Sequence, residues 1–136
     1  MKSWAFTIPL PASPYTPNQS KGQHWRSLAA RTKLIRQTVQ LAAKSEANRL
    51  KPSPPTGPRD LTIVWHRTTG RLLDDDALAP SMKACRDGIA DAGWLYGNQD
   101  SATAVRNYVV KQDARKAQHE SITVTVSEVP IQGPQP

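Results

Sequence analysis

Three consecutive aspartates, Asp74, Asp75 and Asp76, are the residues of this chain best suited to chemistry. Adjacent carboxylates repel one another, and a hard divalent cation removes that cost. Mg²⁺ takes a few carboxylates and fills its remaining positions with water and phosphate oxygens. Six of the eleven acidic residues (Asp74, Asp75, Asp76, Asp87, Asp91 and Asp100) fall between positions 74 and 100. The rest of the chain is basic: 18 Lys and Arg give a net charge of +7, and the pI is near 9.9. Such an excess fits a polyanion such as DNA or RNA better than an acidic small molecule. Together these features supply both halves of a phosphodiester-cleaving site, a positive surface for the polymer and carboxylates for the metal. The competing reading of the triplet is a helix N-terminus, where acids cap and complement the dipole. One aspartate suffices for that role, and three exceed it.

Helix geometry adds a lysine. At about 100° per helical residue, Lys83 lies nearly two turns beyond Asp76 and Asp87 about three. In a helix continuous from Asp76, all three share a face opposite Leu78, Met82, Cys85 and Ile89. Lys83 would then neutralise charge on a phosphate oxygen, or it would simply pair with Asp87 at i,i+4. The three histidines, His24, His66 and His119, form no metal pattern. His66 reads as structural, and His24 is placed to touch phosphate. Tyr15 either stacks on a base or covers the sheet, and Trp25 reads as core. The one cysteine, Cys85, excludes an internal disulfide and a Cys-cluster zinc site. No phosphate-binding Gly-x-x-x-x-Gly-Lys-[Ser/Thr] loop is present.

The elements that must position these residues follow from periodicity. A chain of 136 residues, 38% hydrophobic, supports one domain with a modest core. Residues 3–10 alternate as a short strand ended by Pro9 and Pro11, and residues 11–23 form a loop. Residues 24–50 carry Trp25, Leu28, Thr32, Ile35, Val39 and Ala42 at helical spacing. The polar side of that helix is cationic, with Glu46 the lone acid between Lys21 and Lys51. Residues 61–66 are a strand rich in β-branched residues. A second helix starts between Asp76 and Pro80 and runs to Ala92, with Gly93 as its stop. Residues 105–111 and 121–129 alternate as strands. The expected fold is α+β, in the order β-α-β-α-β-β: a small mixed sheet of about four strands covered by two main helices. The domain spans residues 1–129, and the tail, 130–136, is expected to be disordered. No stretch approaches the roughly 20 apolar residues of a membrane helix, and Pro9 and Pro11 interrupt any secretory signal. A cytoplasmic setting is expected.

The central block resembles the RusA family of Holliday junction endodeoxyribonucleases, found in bacteria and often in prophages. The resemblance rests on Asp74-Asp75-Asp76-Ala77-Leu78, then Lys83, then Arg86-Asp87-Gly88-Ile89-Ala90-Asp91-Ala92-Gly93, then Asp100, then Tyr108-Val109-Val110-Lys111. The opening Ile8-Pro9-Leu10-Pro11, Asn18 and the basic helix are also similar to that family. The resemblance implies a Mg²⁺-dependent homodimer that cuts branched, four-way DNA. It implies that Asp74, Asp76 and Asp100 hold the metal and that Lys83 acts with them in catalysis. The chain departs from the family pattern in three places. Ala77 stands at a motif asparagine, the segment from Asp76 to Lys83 is longer, and the acidic loop reads Gly97-Asn98-Gln99-Asp100. DNA contacts are expected from Lys21, His24, Arg26, Arg31, Lys33 and Arg71. The alternative class is a non-catalytic basic nucleic-acid-binding module whose aspartates only cap a helix. Dependence of cleavage on Mg²⁺ separates the two.

Overall fold

The computed structural model describes residues 2–16, 24–95, 105–113 and 117–128. The elements are β1 (Ser3–Pro9), α1 (Trp25–Leu50), β2 (Arg59–His66), α2 (Asp75–Ser81), α3 (Lys83–Asp91), β3 (Val105–Asp113) and β4 (Ser121–Glu128). The strands form one sheet in the order β1-β4-β2-β3. β4 runs antiparallel to both β1 and β2, whereas β2 and β3 are parallel. A parallel pair requires a crossover connection, and the segment carrying α2 and α3 supplies it. The α+β fold expected from periodicity is therefore present, with helices on one face of a mixed four-stranded sheet.

Alternation builds that buried face. Phe6 and Ile8 of β1, Leu61, Ile63 and Trp65 of β2, and Ile122, Val124 and Val126 of β4 are all buried. The other face carries hydroxyls. Thr7 and Thr123 share a hydrogen bond of 3.0 Å, as do Ser3 and Ser127. One side apolar and one side polar is the signature of a sheet covered on a single face.

In α1, Ile35, Val39 and Ala43 are the buried residues, spaced four apart so that they lie on one stripe. That stripe meets α3 at Gly88. A β-carbon there would lie 2.7 Å from the Arg36 carbonyl oxygen and 2.9 Å from Val39 Cβ, so glycine alone permits the close approach. Past α3 the chain turns at Gly93, whose φ of +90° suits glycine, and buries Trp94. The Trp94 Nε1–H donates to the Ala43 carbonyl at 2.8 Å.

Two expectations are corrected. The second helix is not continuous: it breaks at Met82 (φ −98°, ψ 6°) into α2 and α3. Pro80 is the cause, because it has no N–H to donate to the Asp76 carbonyl and its ring crowds that group. The backbone adapts by tightening, with the Met82 N–H bonding the Ala79 carbonyl at 3.1 Å, and the Ser81 hydroxyl donates to the Ala77 carbonyl at 2.7 Å. Trp25 is not core either; it is 67% exposed. The packed stripe of α1 begins only farther along the helix, with Leu28 half-buried and Ile35 the first fully buried residue.

Candidate functional site

The aspartates follow the carboxyl end of β2, beside the carboxyl end of its parallel neighbour β3. His66 pairs with Asp113 across those ends. The connecting segment is tied to the sheet by its main chain. The Arg67 guanidinium, buried and lying over the Trp65 ring at 4.6 Å, donates to the Arg71 carbonyl at 2.6 Å. The Gln112 side chain donates to the Leu73 carbonyl at 2.7 Å and accepts from the Leu73 N–H at 2.9 Å. Thr68 N–H donates to Glu120 at 3.1 Å. These contacts fix the backbone that enters Asp74.

Asp74 occupies the N-cap position of α2 with extended backbone (φ −65°, ψ 151°), and its side chain makes no cap hydrogen bond. Its carbonyl accepts from the N–H groups of Ala77 and Leu78 at 3.0 and 3.1 Å. Asp76 lies in the first turn, and both residues are exposed. The structure therefore brings Asp74 and Asp76 to one helix start and leaves the Asp74 carboxylate out of the capping role that would otherwise explain it. Two carboxylates are within the number that Mg²⁺ takes when water and phosphate complete its shell. Among the described residues no group of three His, Cys, Asp or Glu side chains is placed to hold a metal. Asp100, the expected third ligand, lies outside the described residues, as does Lys21.

Lys83 opens α3, beyond the break. The shared face expected for Asp76, Lys83 and Asp87 thus holds only from Lys83 to Asp87, where the i,i+4 pair forms with Nζ 2.9 Å from Oδ2. Asp87 is buried, and Arg36 approaches the same carboxylate at 3.8 Å. Arg36 also makes a two-pronged bond to Asp91, at 2.7 and 3.0 Å. This network locks α1 against α3. It also steers Lys83, whose side chain is 67% exposed and whose ammonium carries three donors. One pair with Asp87 leaves donors for an incoming oxygen.

Of the described cationic candidates, the structure brings one, Arg31, to the cleft that Lys83 also lines, a space of about 470 Å³ between α1, the Pro14–Tyr15 segment and the α2–α3 break. Within it, the Arg31 guanidinium lies 4.1 Å from the centre of the Tyr15 ring, and its Nη1 donates to the Ser13 carbonyl at 3.3 Å. Tyr15 thereby has a partner within the protein. His24 is the N-cap of α1, with Nδ1 accepting from the Arg26 N–H at 3.2 Å. Arg26, Lys33 and Arg71 are exposed. His66 is structural as expected: its ring nitrogens meet Thr123 Oγ1 at 2.7 Å and Asp113 at 3.4 Å, and neither partner is one of the α2 aspartates.

Sequence reasoning missed Arg67, Gln112 and Arg36 as positioning residues. Arg67 directly follows β2 and Gln112 is the penultimate residue of β3, so each sits where a strand meets the site. Nothing in their type or spacing announces a bond to a distant main chain.

The chain matches no protein-family model. It is 29% identical over 121 residues to an uncharacterized protein of Xylella fastidiosa (strain Temecula1), an alignment covering 89% of this chain and 75% of that protein. No helix among the described residues is long and apolar enough to cross a membrane.

Proposed function

We propose that this protein is a Mg²⁺-dependent endonuclease of the RusA type, acting as a homodimer that resolves four-way DNA junctions. The observation that carries the reading is the Asp74 carboxylate. It stands at a helix start, exposed, without the cap hydrogen bond that a purely structural aspartate would make there. Asp76 stands beside it, on a chain whose net charge is +7. Asp74 and Asp76 would hold the metal, which would supply an activated water and charge stabilisation when bound. Lys83, oriented by Asp87, meets a phosphate oxygen, and Arg26, Arg31, Lys33 and Arg71 bind the backbone.

The second reading, a nucleic-acid-binding module without catalysis, is favoured by one observation: Lys83 already pairs with Asp87 at 2.9 Å, the plain i,i+4 ion pair that needs no substrate. Incubation with a synthetic four-way junction and with linear duplex, with Mg²⁺ and with chelator, decides between them. The proposed function predicts paired, symmetric cuts in the junction that need Mg²⁺. Tight junction binding with no cleavage at any Mg²⁺ concentration would favour the binding module.

A further inference from the structure

Trp25 is an indole in an unexpected place. Of the four tryptophans in the chain, Trp65 and Trp94 are buried and Trp4 packs on Trp94 with ring centres 5.9 Å apart. Trp25, by contrast, is 67% exposed. Its neighbours are cationic or cation-capable. The Arg26 guanidinium lies 5.3 Å from the ring centre, and the His24 ring stacks alongside at 5.9 Å and 24°. The first turn of α1 contains no acid. Arg26, Lys33 and Lys44 are all exposed, and their spacings of seven and eleven residues put them on one line along the helix at about 100° per residue. By the same geometry Trp25 lies about a quarter turn from that line, beside its first member Arg26. Positive charge next to the indole disfavours a second copy of this basic chain and favours a polyanion that also carries aromatic rings.

We infer that Trp25 is a stacking platform for an unpaired base of the nucleic acid, with the Arg26–Lys33–Lys44 row following the adjoining phosphates. A base inside a duplex has both faces covered by its neighbours, so an exposed indole gains contact only with bases that are unstacked. Aromatic stacking of this kind is tolerant of sequence. The partner is therefore DNA with unpaired bases, as at a branch point or in a single strand. The inference rests on the nucleic-acid reading above, but it does not require cleavage.

The test uses the full chain, without divalent metal, against a 12-nucleotide oligo-dT and a 12-base-pair duplex. Wild type should bind the single strand with quenching of tryptophan emission, since the other three indoles are shielded. Trp25→Ala should weaken oligo-dT binding by roughly tenfold and leave duplex affinity within about twofold. Trp25→Phe should keep most of the affinity while losing the quenching. Unchanged melting of both variants, expected for an exposed side chain, ties the loss to binding. Equal affinity of wild type and Trp25→Ala for oligo-dT would overturn the inference. So would an equal loss on duplex and single strand, or no binding of either nucleic acid. A parallel junction-cleavage assay of the wild type with Mg²⁺ keeps the two readings apart. Cleavage with no effect of Trp25→Ala defeats stacking alone, and stacking without cleavage defeats the nuclease alone.

Discussion

Gln112 holds the Leu73 peptide by both of its polar groups, the carbonyl at 2.7 Å and the N–H at 2.9 Å. A β3 side chain thus fixes the residue immediately before Asp74, and the parallel pairing of β2 with β3 becomes part of the site. Gln112→Ala should cost stability only modestly, about 1–2 kcal/mol for two hydrogen bonds. Its larger effect should be on positioning. The Mg²⁺ concentration giving half-maximal cleavage should rise several-fold while junction affinity measured without metal stays the same. Cleavage with an unchanged Mg²⁺ requirement would show that the clamp serves the fold alone.

Gly88 sets the distance between α1 and α3. An alanine there would place its β-carbon 2.7 Å from backbone oxygen of Arg36, and a helix backbone cannot yield as a side chain can. Gly88→Ala should destabilise by about 1–3 kcal/mol and lower the melting temperature by roughly 5–15 °C, as read by circular dichroism. A melting temperature equal to wild type would mean that the helices are not packed this closely.

High pH should loosen the same layer. Burial pushes the Cys85 thiol from 9.0 up to about 12. It pushes the Tyr108 hydroxyl from 10.0 up to about 12, with Arg86 opposing and Cys85 and Asp87 reinforcing the rise. In the unfolded chain both ionise at their ordinary values. Between about pH 9 and 12 the unfolded state then holds fewer protons than the native one, so stability falls as pH rises through that window. Below it these groups take nothing away. Melting temperatures measured from pH 8 to 11 should decline, and Cys85→Ala should flatten the lower part of the decline. Rapid alkylation of Cys85 in the folded protein at pH 8 would contradict its burial.

The sheet and its buried face were legible because strand alternation and burial are the same fact. Ile122, Val124 and Val126 announce their face by period alone. Gly93 as a helix stop was legible for a similar reason, since one backbone conformation demands it. The break at Met82 was not, because Pro80 can also be read as the first residue of a helix, whereas it lies inside α2 and the chain breaks two residues beyond it. Trp25 misled because a large apolar residue at the right spacing looks like core until the facing surface is known. The Lys83–Asp87 pair was visible as i,i+4 spacing. The Arg36–Asp91 bond that braces it spans two helices, a relation that no local pattern carries.

The central claim rests on Asp74 and Asp76 as metal ligands, and isosteric removal of their charge tests it most directly. Asparagine caps a helix nearly as well as aspartate but supplies a far weaker ligand to Mg²⁺. Asp74→Asn and Asp76→Asn should each retain the wild-type circular dichroism spectrum and bind a four-way junction at least as tightly, since a negative charge near the phosphates is gone. Cleavage of that junction in Mg²⁺ should fall by orders of magnitude. Cleavage at the wild-type rate by folded Asp76→Asn would contradict the catalytic assignment and leave the aspartates as the beginning of a helix.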